Sequence, residues 1–424
     1  MATRAVAGET PAAASGDRAL AATRQAVAAV FREESGRLTA SLVRVLDDFD
    51  TAEEVVQDAL LAAWERWPIE GVPERPAAWL WTVARRRAVD VLRRRLRLQE
   101  KLALAVPPSA ILALEAAEPE EPADGRLGLL FTCCHPALSP EARVALTLRT
   151  VCGLSTAEIA GAFLVSEAAI VQRLTRARRK IAVAGIRYRV PADDELADRL
   201  SAVLAVIYLL FNEGYLCTGG DAAQRHDLTA DARWLAELLA ALMPAEPEVL
   251  GLLALIRLHQ ARAAARFDAA GRLVLLRDQD RDRWDRAEIA DACALLVRAG
   301  RLRRPGVYQL QAAIVACHAE APGWDGTDWP QVLLLYDALL RRQPSPVVRL
   351  HRAVALSQVL GAGPALAEVD AIGAELDGYH LFHATRAELL RRLGRAAEAR
   401  AADGRALELT GNPAERALLE QRLA

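Results

Sequence analysis

Aromatic residues are scarce in this sequence. Phenylalanine, tyrosine and tryptophan make up 5% of its 424 residues, and methionine occurs only twice. Strands favour β-branched and aromatic side chains, whereas alanine, leucine and arginine, which are abundant here, favour helices. The hydrophobic fraction of 53% supplies material for several cores, and the length predicts two to four compact units. The composition therefore predicts an all-α protein.

Several signatures of other protein classes are also missing. The six cysteines show no CxxC spacing, which favours reduced thiols in the cytoplasm. The N-terminus lacks the apolar core of a signal peptide, and the longest apolar run, residues 202–211, is too short to cross a bilayer. No phosphate-binding glycine loop, HExxH or GxSxG motif occurs. We expect a cytoplasmic protein that is not an enzyme, binds no cofactor and does not enter a membrane.

Two short stretches are similar to metal sites but do not meet their requirements. Cys133, Cys134 and His135 are adjacent, and adjacent ligands cannot easily close a tetrahedral site. Residues 278–282 begin like a calcium loop, but Arg283 stands at the sixth position, where the loop needs glycine. The sequence therefore predicts packed cysteines, a local charge network and no metal.

The formal net charge of -2 hides two basic clusters. Residues 85–97 contain seven arginines and one acid, and residues 173–189 contain seven basic residues and no acid. Such asymmetry is typical of a nucleic-acid surface, and it also occurs on solvated helix faces. Charge alone leaves both interpretations open.

Composition divides the chain into five segments. Residues 1–17 form an Ala/Gly/Pro-rich tail that we expect to be disordered, and residues 18–101 form a first helical domain. Residues 102–125 contain four prolines and five acids, which indicates a linker. Residues 126–189 form a second helical domain, and residues 190–424 a larger helical one.

Helix boundaries can be predicted within the first domain. Residues 51–54 have the form of a capping box, which predicts a helix that begins there and ends at the prolines at 68, 73 and 76. A further helix is predicted from Ala77 to about Leu98.

The second domain contains a helix-turn-helix pattern. The stretch SEAAIVQRLTRARRKI, residues 166–181, follows a short helix and a three-residue turn and begins with a capping serine. Ile170 and Leu174 lie four apart and should pack on Ile159 and Phe163, which leaves the basic side chains outside. The second helix of this arrangement can enter a DNA major groove.

A weak repeat marks the end of the chain. Ala338, Ala371 and Ala406 recur at intervals of 33 and 35 residues, close to the 34-residue tetratricopeptide period. Gly394 and Ala399 occupy further small-residue positions of that pattern. We expect tetratricopeptide-like helix pairs toward the C-terminus.

Three stretches resemble, in their order and spacing, the bacterial RNA polymerase sigma factors of the extracytoplasmic-function class. They are VRVLDDFDTAEEVVQDALLAAWERWP, AWLWTVARRRAVDVLRRRLR and LSPEARVALTLRTVCGLSTAEIAGAFLVSEAAIVQRLTRARRKI. The resemblance covers roughly residues 25–185. With its helical extension, the chain resembles the subgroup whose sigma core is fused to a large tetratricopeptide-like domain.

The resemblance implies three sets of contacts. Residues 18–101 would be sigma domain 2, which binds core RNA polymerase through Asp50, Glu53, Glu54, Gln57, Asp58 and Leu61. The same domain would bind the −10 promoter element through Trp79, Trp81, Arg85, Arg86, Arg87, Arg93, Arg94 and Arg95. Residues 126–189 would be sigma domain 4, which reads the −35 element through Ser166, Glu167, Ala168, Ala169, Gln172, Arg173, Arg176, Arg178, Arg179 and Lys180.

Two details bear on these assignments. Tryptophans two positions apart on a helix cannot face the same direction, so one of Trp79 and Trp81 should belong to the core. Many relatives carry lysine and serine where this chain has Val171 and Gln172, so their promoter sequence is not transferred to it.

The partners implied by the resemblance are core RNA polymerase, at its clamp and flap regions, and promoter DNA. The extension would control the sigma core, by docking on it or by receiving a protein or peptide ligand. The sequence also permits two other hypotheses. The chain can be a helix-turn-helix regulator that is not a polymerase subunit, or a helical-repeat scaffold without a DNA role.

Overall fold

The computed structural model describes residues 30, 34–46, 48–101, 125–163, 165–186, 188–215 and 226–424. Helices form nearly all regular structure in these ranges, which hold no strand and one isolated bridge, between Phe267 and Leu273. The all-α prediction is confirmed. The predicted tail at 1–17 and all of the predicted linker except Gly125 lie outside the described residues. The chain divides into two compact units, Met1–Val206 and Ile207–Ala424.

Three helices form the first bundle of the N-terminal unit. They comprise residues 34–46 (α1), Phe49–Glu70 (α2) and Pro76–Lys101 (α3). Apolar residues at helical spacing turn inward from each of them, and Leu42, Trp67 and Leu80 are completely buried where the three stripes meet.

Helix α2 begins earlier and ends later than the sequence predicted. Asp48, not Thr51, is its N-cap: the carboxylate accepts hydrogen bonds from the backbone N–H of Asp50, at 3.3 Å, and from the Thr51 hydroxyl. Aspartate caps helices at least as well as threonine, so the first available acceptor starts the helix. Pro68 lies inside the last turn, and Gly71, with φ 86°, ends the helix.

Four short helices follow in the same unit. They are Arg126–Cys133 (α4), Pro140–Thr150 (α5), Thr156–Phe163 (α6) and Glu167–Val183 (α7). A reciprocal capping box begins α6, because Ser155 Oγ accepts from the Glu158 N–H at 3.1 Å and the Glu158 carboxylate accepts from the Ser155 N–H at 2.7 Å. Helices α6 and α7 pack on each other as the predicted helix-turn-helix.

The C-terminal unit begins within α8, Asp193–Tyr215, and continues with His226–Leu242 (α9), Pro247–Gln260 (α10), Arg286–Arg301 (α11) and Val307–Glu320 (α12). Between α10 and α11 lie three single-turn 3₁₀ segments, Ala263–Ala265, Leu276–Asp278 and Arg281–Arg283. At residues 278–282, where a local charge network was expected, the Asp280 carboxylate caps the last 3₁₀ segment by accepting from the Asp282 N–H at 3.0 Å, and Arg277 lies 3.8 Å from the Asp278 carboxylate. None of the described helices is long and apolar enough to cross a membrane.

A helical repeat occupies the rest of the chain. Its helices are Trp329–Arg342 (α13), Pro346–Val359 (α14), Ala362–Asp370 (α15), Gly373–Leu376 (α16), His380–Arg392 (α17), Ala396–Leu409 (α18) and Pro413–Leu423 (α19). The first helices of successive pairs, α13, α15 and α18, begin 33 and 34 residues apart, and the second helices, α14, α17 and α19, begin 34 and 33 residues apart. Gly361 and Gly394 adopt positive φ at the pair boundaries. The predicted tetratricopeptide-like period therefore corresponds to the spacing of successive helix pairs.

Candidate polymerase and DNA interfaces

Helix α7 presents an apolar face to its own domain. Ser166 caps it, with Oγ accepting from the Ala169 N–H at 3.2 Å. Ile170 and Leu174 are buried, as is Ile159 on the preceding helix α6, in agreement with the four-residue spacing. The helix is thus held by one face, which leaves the others for a ligand.

The side chains predicted to read the −35 element lie mainly away from this apolar face. Ser166, Glu167, Ala168, Gln172, Arg176, Arg179 and Lys180 are exposed, and Ala169, Arg173 and Arg178 are half-buried. The Thr156 hydroxyl donates to the Glu167 carboxylate at 2.6 Å, which holds this side chain against α6. The outward guanidinium and amide groups suit phosphate oxygens and base edges.

The residues predicted to bind polymerase follow one side of α2. Asp50, Glu54, Gln57, Asp58 and Leu61 are exposed, and Glu53 is half-buried. Leu61 exposes 57% of its surface among carboxylates. An apolar side chain within an acidic row is complementary to a basic protein surface with an apolar pocket.

Part of this acidic row is already occupied by the second domain. The Arg178 guanidinium contacts the Asp50 carboxylate at 3.0 Å and also pairs with Glu53. Arg149, on α5, donates from Nε to Glu53 Oε1 at 2.6 Å. The side chains of Arg178 and Glu53 are each only 20% exposed, so this contact joins a predicted polymerase residue to a predicted DNA residue in a partly desolvated pair.

The contact between α2 and α7 is polar and loosely packed. A cavity of about 450 Å³ lies beside the ion pairs, and its lining includes Gln57, Val171 and Thr175. Val171 remains 47% exposed next to it. An interface held by charges around an open gap is easier to separate than a close-packed apolar one.

The arginines of α3 divide into an outward set and an anchored one. Arg86, Arg87, Arg93 and Arg94 are exposed, and Arg85 and Arg95 are half-buried. Arg95 donates to the Leu46 carbonyl at 3.2 Å, to the Asp48 carboxylate at 2.9 Å and to the Thr51 hydroxyl at 2.5 Å. Arg95 therefore ties α3 to the start of α2. Arg87 lies 3.8 Å from the Asp58 carboxylate on α2 and is itself 56% exposed, so a phosphate backbone could still reach it.

The two tryptophans of α3 differ in burial. Trp81 is 6% exposed and belongs to the core of the first bundle. Trp79 is half-buried, and its ring meets that of Trp67 edge to face at a centroid distance of 5.5 Å. Trp79 is thus the tryptophan of the pair with surface left for a base.

The adjacent cysteines are packed side chains, as predicted. Cys133 and Cys134 are buried, and the sulfur of Cys134 lies 3.4 Å from the Thr147 hydroxyl. Burial raises the pKa of Cys134 to about 11, so the thiol stays protonated. Across the described ranges, no three His, Cys, Asp or Glu side chains are grouped as metal ligands.

Arg149 is the residue that the sequence patterns did not single out. It lies outside both basic clusters, on α5, and it donates to the Leu154 carbonyl at 3.1 Å as well as to Glu53. Neither Arg149 nor its neighbours on α5 carry a sequence signal for a partner 96 positions away.

Comparison with known families divides the chain in the same order. Residues 30–98 match "Sigma-70 region 2", residues 129–181 match "Sigma-70, region 4", and residues 199–300 match a family of unknown function, DUF6596. No match was found among solved structures.

Curated relatives agree with these matches. The uncharacterized protein R00370 of Rhizobium meliloti is 47% identical over 392 residues, which is 90% of this chain and 92% of that protein. The ECF RNA polymerase sigma factor SigL of Mycobacterium tuberculosis is 32% identical over 164 residues, 38% of this chain and 90% of SigL. SigJ, an ECF sigma factor of the same species, is 31% identical over 163 residues, 36% of this chain and 50% of SigJ.

Regions 2 and 4 occur together within the first compact unit, and 90% of the length of SigL aligns with this chain at 32% identity. This chain belongs to the extracytoplasmic-function RNA polymerase sigma factors and carries a large helical extension.

Proposed function

We propose that this chain is a promoter-specific initiation factor that acts in the cytoplasm, has no catalytic activity and binds core polymerase through the acidic face of α2. The supporting observation is the row of exposed side chains from Glu54 to Leu61, which no apolar packing within the bundle requires. Asp58 and Leu61 form its C-terminal part, and Leu61 is 57% exposed. Attraction between the acidic side chains and the polymerase clamp would raise the association rate, and burial of Leu61 in the complex would slow dissociation.

Promoter recognition would be divided between two basic helices. On α7, Gln172, Arg173 and Arg176 would enter the major groove of the −35 element, where glutamine can pair with adenine and arginine with guanine or phosphate. On α3, the exposed arginines would hold the backbone beside the −10 element while Trp79 stacks on an unpaired base. Trp81 and Arg95 would serve this surface indirectly, by fixing the helix that presents it.

The contact between α2 and α7 supports a closed form of the sigma core. Glu53 cannot bind polymerase while Arg149 and Arg178 neutralise it, and Arg178 cannot bind DNA while it holds Glu53. Separation of the two domains would therefore accompany assembly with polymerase and promoter. The same charges that close the free protein would become available to both partners.

The extension, residues 190–424, would control this core. Repeated helix pairs form grooves suited to a protein or peptide, so the domain would receive such a ligand or dock on the sigma domains. The rest of the chain would consist of a disordered tail (residues 1–17), sigma domain 2 (18–101), a linker (102–125) and sigma domain 4 (126–189).

Promoter-dependent transcription with purified core polymerase tests this function. The variant Asp58→Ala/Leu61→Ala should lose polymerase binding, and Arg173→Ala/Arg176→Ala should keep polymerase binding but lose specific transcripts. Ile69→Ala, an exposed apolar residue near the end of α2, is the matched control and should behave like the unmodified chain. Polymerase binding that survives Asp58→Ala/Leu61→Ala contradicts the assignment of the α2 face.

A further inference from the structure

Three arginines that lie close together in the C-terminal unit form no ion pair with a carboxylate among the residues that the structure describes. Arg266 is 4% exposed and Arg281 is 9% exposed, and Arg262, on the same loop as Arg266, is half-buried. Buried charges in proteins are normally paired, so this cluster requires a counter-charge.

Helix ends supply only part of that counter-charge. Arg266 donates to the Tyr215 carbonyl, the last residue of α8, at 2.7 Å, and its guanidinium lies 3.5 Å from the centre of the Tyr215 ring. Arg281 donates to the Ala321 carbonyl at 3.1 Å and to the His318 carbonyl, at the end of α12. A helix C-terminus carries roughly half a negative charge, so the end of α12 offsets only a small part of the positive charge of the three arginines.

Several buried polar atoms of this cluster form no hydrogen bond with any residue in the described ranges. They are Arg281 Nη2, Arg262 Nε and the Trp284 indole N–H, and the His318 Nδ1 is also unpaired. The Trp284 ring lies 4.3 Å from the Arg281 guanidinium carbon. A buried donor left without an acceptor is unfavourable, and here several occur in one place.

Three segments bring these groups together. The Asp285 N–H donates to the Ala261 carbonyl at 2.8 Å, which joins the loop of Arg262 to the turn of Arg281. The neighbouring charges are close enough to act on one another: burial, followed by Arg262 and Arg281, lowers the pKa of His318 to about 4. His318 is therefore neutral at pH 7 and adds a polar group without adding charge.

We propose that Arg262, Arg281 and His318, with the indole N–H of Trp284, bind a phosphate group. Guanidinium forks match the geometry of a phosphate and can donate to two of its oxygens at once. A phosphate group carries about −1.5 to −2 charges at pH 7, which balances the uncompensated arginines better than a single carboxylate does. The ligand would be free phosphate or a small phosphate ester bound by the extension, whose sequence contains none of the proposed polymerase and DNA residues.

Calorimetric titration and thermal unfolding of the full chain test this site. Inorganic phosphate and sulfate should bind saturably, with one site per chain, and should raise Tm, whereas acetate and chloride at matched ionic strength should not. Glycerol phosphate distinguishes the source: tighter binding than inorganic phosphate indicates an ester, and equal or weaker binding indicates the free ion. Either result supports the site.

Variants then assign the binding to the cluster. Arg281→Gln and Arg262→Gln should each weaken phosphate binding about tenfold or more, because each removes a charged donor. Arg262 is only half-buried, so Arg262→Gln serves if Arg281→Gln fails to fold. Arg272→Gln, which removes an exposed arginine paired with Asp268 at 2.7 Å, is the matched control.

A second control separates the cluster from the DNA-binding helix. Arg173→Gln/Arg176→Gln should retain the phosphate response in full, and this result does not depend on sigma activity. The proposal is overturned if phosphate acts no differently from acetate, or if Arg262→Gln and Arg281→Gln bind phosphate as tightly as the unmodified chain does.

Discussion

Removal of the Arg178 side chain should increase the affinity of the free protein for core polymerase. Arg178 holds Asp50 and Glu53 in the contact between α2 and α7. Exposed ion pairs contribute about 0.2–1 kcal/mol, and close charge pairs at interfaces about 1.5 kcal/mol or more. Since Arg178 and Glu53 are each 20% exposed, their pair should contribute about 1–2 kcal/mol to the closed form.

The contribution of the Arg178–Glu53 pair determines how much the affinity for core polymerase should change. If the closed form predominates, its loss should increase the apparent affinity about five- to thirtyfold, because 1.4 kcal/mol corresponds to tenfold in a binding constant. Fluorescence anisotropy with labelled sigma and core polymerase, without DNA, measures the change in Kd. DNA is left out because Arg178 is also a proposed −35 contact. The increase should diminish at high salt, which screens the pairs in the unmodified chain.

Arg179→Ala is the control for this measurement. Arg179 is the next residue on α7, is exposed and lies outside the set of residues that pair with α2. Arg178→Ala must bind polymerase more tightly than Arg179→Ala. Equal affinities, or weaker binding by Arg178→Ala, would refute the closed form.

Three further predictions concern DNA binding, pH and the repeat domain. Each of Arg173→Ala and Arg176→Ala should weaken promoter binding and, if the lost contact is to phosphate, should lower the slope of log K against log salt by about 0.9, as measured by filter binding. Burial lowers the pKa of His318 to about 4, below the ordinary value of 6.5, so between these pH values the unfolded chain binds a proton that the folded chain does not. The free energy of unfolding, measured with urea, should therefore fall by about 1.4 kcal/mol for each unit by which the pH is lowered from 6.5 to 4. Asp403 is 1% exposed and accepts a hydrogen bond from Arg391 at 2.5 Å. Asp403→Ala should destabilise the chain by about 3 kcal/mol, because it leaves Arg391 and Arg422 without the carboxylate that they share. An unchanged unfolding midpoint would contradict this prediction.

Local patterns were sufficient to predict the helix-turn-helix and the helical repeat, and the family was predicted from the resemblance of three stretches. The Ser166 cap, the burial of Ile170 and Leu174 and the helical repeat all depend on neighbouring residues or on a regular period, which a sequence displays directly. The start of α2 was predicted three residues late. Asp48 and Thr51 are both good caps, and the contact of Asp48 with the distant Arg95 favours the earlier one.

Contacts between distant segments could not be predicted in the same way. Arg178 and Glu53 are 125 positions apart, and nothing in either helix marks the other as its partner. The periodicity of α3 also gave no means of choosing between Trp79 and Trp81, because the choice depends on where Trp67 of α2 packs. The arginine cluster of the extension could not be predicted either, because its residues come from segments that are distant in sequence and meet only in the folded chain.

The most direct test of the sigma assignment is run-off transcription by purified core polymerase on genomic promoter fragments, with and without the full chain. If the chain is a sigma factor, specific transcripts should require it and should disappear with Asp58→Ala/Leu61→Ala, whereas Ile69→Ala should preserve them. An unmodified chain that neither associates with core polymerase nor yields a specific transcript would contradict its assignment as a sigma factor.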